Sequence, residues 1–153
     1  MTRLKTALAC LFAVFQGAAA APEDPGGWRI EAPDTMAPGD IASLGLVFDI
    51  NSPWQMYAPS SLNDAIGVVG LAVSLDAPEG FAVSGPDYPR PVNMGRYEVY
   101  EGPQATARIK VRADPDAMPG TYRLQGQVQY QFCKPTLCLP PQRDKLALVI
   151  EVE

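Results

Sequence analysis

Apolar and polar residues alternate through much of this chain. Leu44, Leu46, Phe48 and Ile50 would line one face of a strand, and Leu71, Val73 and Leu75 another. Ala105, Ala107, Ile109 and Val111 point one way while Thr106, Arg108, Lys110 and Arg112 point the other. Tyr122, Leu124, Val128, Tyr130 and Phe132 alternate with Arg123, Gln125, Gln127, Gln129 and Gln131, and Leu146, Leu148, Ile150 and Val152 close the chain. Period two is the mark of half-buried antiparallel strands. Pro and Gly separate the runs, and sixteen prolines leave room for no helix beyond a turn or two. Five such runs with turn signals between them predict an all-β fold, an immunoglobulin-like β-sandwich. The inter-sheet disulfide of antibody domains is missing, because Cys133 and Cys138 are too close in sequence to join separate sheets.

The first residues break this pattern. Arg3 and Lys5 precede an apolar run from Thr6 to Phe15, and small residues follow, with Ala18 and Ala20 in the arrangement that signal peptidase reads. Residues 1–20 are therefore expected to be a secretory signal, 21–27 a flexible lead-in, and 28–153 the folded domain. The apolar run is short for a membrane span, and no later segment is long enough, so no membrane insertion is expected once the signal is removed.

Removing the signal takes Cys10 away and leaves Cys133 and Cys138 as one pair. It also takes two of the twelve basic residues and none of the seventeen acidic ones, so the formal charge goes from −5 to −7. Such a chain repels phosphate backbones, and no nucleic-acid partner is expected. There is no histidine, hence neither the commonest general base nor the commonest metal ligand. Two thiolates fall short of the four ligands zinc usually takes, and neither metal nor cofactor is expected. Hydrolytic chemistry has no nucleophile elbow to support it.

The remaining chemistry lies in Tyr130-Gln-Phe-Cys-Lys-Pro-Thr-Leu-Cys-Leu-Pro-Pro141. Four residues separate the cysteines, and Pro135 favours a turn that would bring them together. Pro140 and Pro141 donate no backbone hydrogen bonds, so the chain here should leave the sheet or follow its edge. Lys134 and Arg143 are cations that would favour the exchanging thiolate. A ring this small stabilises a fold by only about 2 kcal/mol. Spacing and composition leave two readings level: a structural bridge in a binding or adaptor domain, and a redox-active pair. Trp54, Tyr57, Tyr130 and Phe132 read as core aromatics, Asp64 as a turn residue, and Arg108, Lys110 and Arg112 as a solvated face. Asp87 to Gly102, rich in Pro, Gly and Tyr, reads as a long loop or a hairpin with an irregular tip.

The segment Tyr130 to Pro141 resembles the active-site segment of the N-terminal periplasmic domain of the thiol:disulfide interchange protein DsbD, also called the disulfide bond corrector family. Trp54-Gln-Met-Tyr57 and Asn63-Asp-Ala-Ile-Gly67 are similar to that family's aromatic strand and its Asp-x-Gly turn, and Tyr88-Pro89 and Gly95 to Tyr100 to its next segment. The resemblance covers roughly Ser43 to Val152. It implies a periplasmic thiol–disulfide exchange module of the protein-disulfide reductase type, with Cys133 and Cys138 as its catalytic pair. Electrons would pass from a thioredoxin-like donor, itself fed by a membrane-embedded partner, to periplasmic oxidoreductases. Cys138 would make the mixed disulfides and Cys133 would resolve them, beneath a cap loop at Pro91 to Gly95. Two features depart from the pattern. The best-known DsbD domains have five residues between the cysteines, and their cap presents an aromatic residue after an acidic pair, neither of which Pro91-Val-Asn-Met94 offers.

Overall fold

The computed structural model describes residues 23–153, so the expected signal segment lies outside the described residues. Two four-stranded sheets form the body. One has the order β1 (Gly26–Glu31), β3 (Ile41–Ile50), β9 (Gln104–Ala113), β6 (Phe81–Asp87). The other has β2 (Thr35–Met36), β13 (Gln142–Val152), β10 (Gly120–Tyr130), β5 (Ala72–Asp76). All pairings are antiparallel except β2 with β13. Gly26 and Gly27, read as lead-in, are the first residues of β1.

The alternating runs are these strands, and their apolar faces meet between the sheets. Leu44, Leu46, Phe48 and Ile50 of β3 and Ala105, Ala107, Ile109 and Val111 of β9 share one core with Leu124, Val128 and Tyr130 of β10 and Leu146, Ile150 and Val152 of β13. The rings of Phe48 and Tyr130 meet edge-on across it, 6.1 Å apart. This is the immunoglobulin-like sandwich that period two predicted. Arg108, Lys110 and Arg112 are exposed on the outer face of β9, as expected. The alternation skips Gly126 for a reason: a Cβ there would overlap the carbonyl oxygen of Ser74, so only glycine lets β5 lie this close to β10.

A third sheet closes one end of the sandwich, in the order β12 (Leu137–Cys138), β11 (Phe132–Lys134), β4 (Gln55–Tyr57), β8 (Glu98–Glu101), β7 (Val92–Asn93). The run Tyr122–Phe132, which reads as one strand in sequence, is broken at Gln131. There the chain leaves β10 and enters the third sheet as β11. Gln131 holds the break: its Nε2 donates to the carbonyl of Leu139 at 3.0 Å, and its Oε1 accepts from the amide of Val69 at 3.2 Å. Asp87–Gly102 contains the β7–β8 hairpin. The helix among the described residues is the single turn α1 (Ser61–Ala65), capped by the Ser60 hydroxyl on the amide of Asn63.

A hairpin disulfide at the end of the sandwich

The two cysteines stand opposite each other in the β11–β12 hairpin, whose tip is Pro135-Thr136. Neither tip residue takes a positive φ, which agrees with the fixed backbone angle of proline. The amide of Leu139 donates to the carbonyl of Phe132 at 2.9 Å, which makes Cys133 and Cys138 a non-hydrogen-bonded pair, the narrower kind. Their Cα atoms are 4.0 Å apart and their sulfurs are bonded.

The two are buried to different degrees. Cys133 is 6% exposed, whereas Cys138 is exposed. β11 has β4 as a second neighbour, through Phe132 opposite Met56 and Cys133 opposite Gln55. β12 has only β11, and after Leu139 the chain passes through Pro140 and Pro141 before β13 begins. The edge position expected from the prolines is therefore what the structure has.

The cysteines line a cleft of about 390 Å³ with Gln55, Tyr57, Tyr97, Lys134 and the hairpin tip. Tyr57 and Tyr97 meet edge-on at 5.8 Å. Burial, and then the neighbouring Tyr97, push the Tyr57 phenol above its ordinary value. Gln55 is tied to Glu101 through a 2.7 Å hydrogen bond. The segment expected to cap the pair, Pro91–Gly95, forms β7 and the hairpin tip. Val92 and Met94 are each 43% exposed, and the aromatic ring that this hairpin brings to the cleft, beside Tyr57 of β4, is that of Tyr97, two residues further on. Tyr97 was missed in sequence because its partner, Tyr57, lies forty residues away. The β4–β8 register, with Tyr57 opposite Val99, brings them together. A larger cleft of about 640 Å³, lined by Trp54, Glu101 and Pro103 among others, shares Gln55 with this one but holds no thiol.

The expected cations are occupied. Lys134 lines the cleft, but its Nζ extends to Glu23, 2.6 Å from Oε2, while lying 5.0 Å from the ring centre of Trp54. Arg143 donates to the side-chain oxygen of Gln129 at 2.6 Å. Both charged groups thus have polar partners other than the sulfurs. Trp54 is buried, as expected of a core aromatic, and its indole N–H has no partner among the described residues. Asp64 is exposed and donates no chemistry to the cleft, whereas its neighbour Asn63 is fully buried. Among the described residues no three His, Cys, Asp or Glu side chains gather as metal ligands would, and no helix is long and apolar enough to cross a membrane.

An immunoglobulin-like sandwich with a cross-strand disulfide at one end defines the class of this domain. Residues 29–150 match the family described as thiol:disulfide interchange protein DsbD, N-terminal, and the chain belongs to that family. Among solved structures, the N-terminal periplasmic domain of ScsB from Proteus mirabilis is similar at 14% identity with a TM-score of 0.51, over 85% of this chain and 49% of that one. The chain thus spans about half the length of that structure, and the likeness is one of fold. The GAE domain of yeast GGA1 is a more distant likeness, at 10% identity and a TM-score of 0.41, over 83% of this chain and 96% of that one. No curated protein matches the sequence.

Proposed function

We propose that this domain is a periplasmic thiol–disulfide exchange module that carries electron pairs from a thioredoxin-like donor to periplasmic oxidoreductases. In the reduced state the Cys138 thiolate attacks a partner's disulfide. A mixed disulfide forms, and one partner sulfur leaves as thiolate. Cys133 then attacks the Cys138 sulfur, which frees the second partner sulfur and closes the Cys133–Cys138 bond. Two electrons and two protons have passed to the partner. A donor dithiol reverses the sequence and is itself left as a disulfide.

The observation that carries this reading is the unequal exposure of the pair. An attacking thiol has to be reached by another protein, and Cys138 lies on an unpaired edge. A resolving thiol has only to reach its neighbour, and Cys133 is buried directly opposite. The family to which residues 29–150 belong supports the chemistry, and residues 1–20 would deliver the domain to the periplasm as a signal segment.

The test is to trap the intermediate in the cell of origin. With Cys133→Ala, resolution from within is blocked, and a mixed disulfide between Cys138 and a thioredoxin-like protein should accumulate. With Cys138→Ala little adduct should form. Equal trapping by both variants would remove the assignment of roles. No adduct with either, together with a reduction potential below about −300 mV, would point instead to an adaptor domain with a structural bridge.

A further inference from the structure

Asn63 is the buried polar side chain of the described core, with no exposed surface. Its carboxamide occupies the end of the β4–β8 ladder. Paired residues there stop at Tyr57 opposite Val99. One step further, the amide of Ala58 still donates to the carbonyl of Glu98 at 3.0 Å. The return bond, from the Glu98 amide to the Ala58 carbonyl, would complete a regular rung, and Asn63 stands in its place. Its Oδ1 accepts from the Glu98 amide at 2.9 Å, and its Nδ2 donates to the carbonyls of Ala58 at 2.6 Å and Glu98 at 2.7 Å. Two carbonyls on one side and an amide on the other leave the carboxamide a single orientation.

Each strand end held this way has a cleft tyrosine next to it. Tyr57 precedes Ala58, and Tyr97 precedes Glu98. Their rings meet edge-on beside the disulfide. At the opposite end of the hairpin the Tyr100 hydroxyl donates to the carbonyl of Pro89 at 3.1 Å, so Asn63 is the hold at the end nearer Tyr97. We propose that Asn63 is a positioning residue for the disulfide site: its carboxamide clamps Ala58 to Glu98 and so keeps Tyr97 against Tyr57 at the cleft, where the ring limits access to the sulfurs. Asn63 bears on exchange only through the reading given above, but its hold on Tyr97 is measured with a small reductant and needs no protein partner.

The probe is a water-soluble phosphine, whose lone pair attacks a disulfide sulfur and expels the other as thiolate; water then hydrolyses the phosphorus–sulfur bond, which leaves the phosphine oxide and two thiols. The purified oxidised domain is followed by thiol release. Tyr97→Ala should be reduced faster than the parent by at least about fivefold, the factor that even one of the three hydrogen bonds of the Asn63 clamp represents. Asn63→Ala should show a similar gain, and the double variant should match Tyr97→Ala alone, because both changes remove the same obstruction. Asn63→Asp covers the case in which Asn63→Ala does not fold. It keeps the acceptor for the Glu98 amide but sets a negative charge against two carbonyls, so its excess rate should fall back as pH is lowered from 7 to 4 and the introduced carboxyl regains a proton to donate. Tyr97→Ala should show no such return. A purely structural Asn63 would lower the thermal midpoint of a folded variant and leave the reduction rate unchanged. That result, a parental rate for Tyr97→Ala, or multiplied effects in the double variant would each overturn the proposal. Rates as expected with no adduct in the trapping experiment would keep the clamp and remove the exchange function.

Discussion

Replacing both cysteines by alanine should leave this domain folded. The disulfide closes a ring with four residues between its ends, and loop entropy assigns such a ring about 2 kcal/mol. Little else depends on it. Cys133 is buried but lies outside the main apolar cluster, which includes Phe132, and Phe132 opposite Met56 keeps β11 attached to β4 when the sulfurs are gone. Alanine is the right replacement for Cys133, because serine would leave a hydroxyl to satisfy at a site only 6% exposed. Set against a typical domain stability of roughly 5–15 kcal/mol, the loss is tolerable. With a urea slope of about 1–3 kcal/mol per molar, the unfolding midpoint should drop by about 1 M with the slope little changed. Reducing the parent protein opens the same ring but keeps both sulfurs, so its midpoint should shift by no more than that of the double variant, which also loses the buried Cys133 sulfur. The same free energy fixes the redox consequence. A bridge contributing about 2 kcal/mol makes the folded pair only about 40 mV harder to reduce than the same pair in the unfolded chain, a modest bias that leaves the bond available for exchange. A double variant that is unfolded at room temperature, or that loses more than about 4 kcal/mol, would refute this reasoning and make the bridge structural.

Two further outcomes follow from the packing. Burial, foremost in both cases, pushes the phenols of Tyr100 and Tyr130 up to about 12, with Tyr88 and Glu98 adding to the first and Asp144 to the second. Between pH 10 and 12 the unfolded chain gives up phenolic protons that the folded one keeps. Stability should therefore be full below pH 10 and fall above it, by at most about 1.4 kcal/mol per pH unit for each tyrosine. Urea midpoints at pH 9, 10 and 11 check this, and a flat profile would contradict it. Gly126→Ala should destabilise the domain by about 1–3 kcal/mol, because the new methyl meets the backbone of Ser74 rather than a side chain that could turn away. An unchanged midpoint would show that β5 moves aside freely.

The body of the fold is legible because period two acts within single strands: β3, β9, β10 and β13 each carry their own signature and bury the residues it names, apart from Tyr122 and Leu148, which are half-buried against the core. Legibility failed where a strand's fate depends on distant neighbours. Tyr122 to Phe132 keeps its alternation straight through Gln131, yet Gln131 is where the chain changes sheets, held by bonds to Val69 and Leu139 that no local pattern announces. Lys134 and Arg143 were expected to serve the sulfurs because they are near in sequence. Lys134 sits instead with Glu23 and the Trp54 ring, and Arg143 with Gln129. The role of Asn63 is not legible in sequence, because a buried carboxamide and an exposed turn asparagine look alike there and the neighbouring Asp64 carries the turn signal.

The division of labour between the cysteines is the least local property of all, and the sheet order accounts for it. Residues opposite each other in an antiparallel pair point to the same side, so Cys133 and Cys138 face the same cleft from the same hairpin. Their side-chain direction alone would make them equivalent. They differ because β11 is flanked on both sides, by β12 and β4, whereas β12 is the last strand of the sheet. Pro140 and Pro141 lie just past β12, where they bring no amide to a ladder and end the edge strand after Cys138. The pairing of β11 with β4 rests on Phe132 meeting Met56, far apart in the chain. Sequence could thus mark the pair and the edge, but the burial of Cys133 alone of the two arises only once β4 is in place. Any change that detaches β4 from β11 should therefore expose Cys133 and erase the asymmetry while leaving the disulfide formed. In the reduced Met56→Asp variant, alkylation by iodoacetamide should occur at comparable rates on both cysteines, whereas in the parent Cys138 should react first. A Cys133 that stays protected in a folded Met56→Asp domain would mean that something other than the sheet order sets the roles.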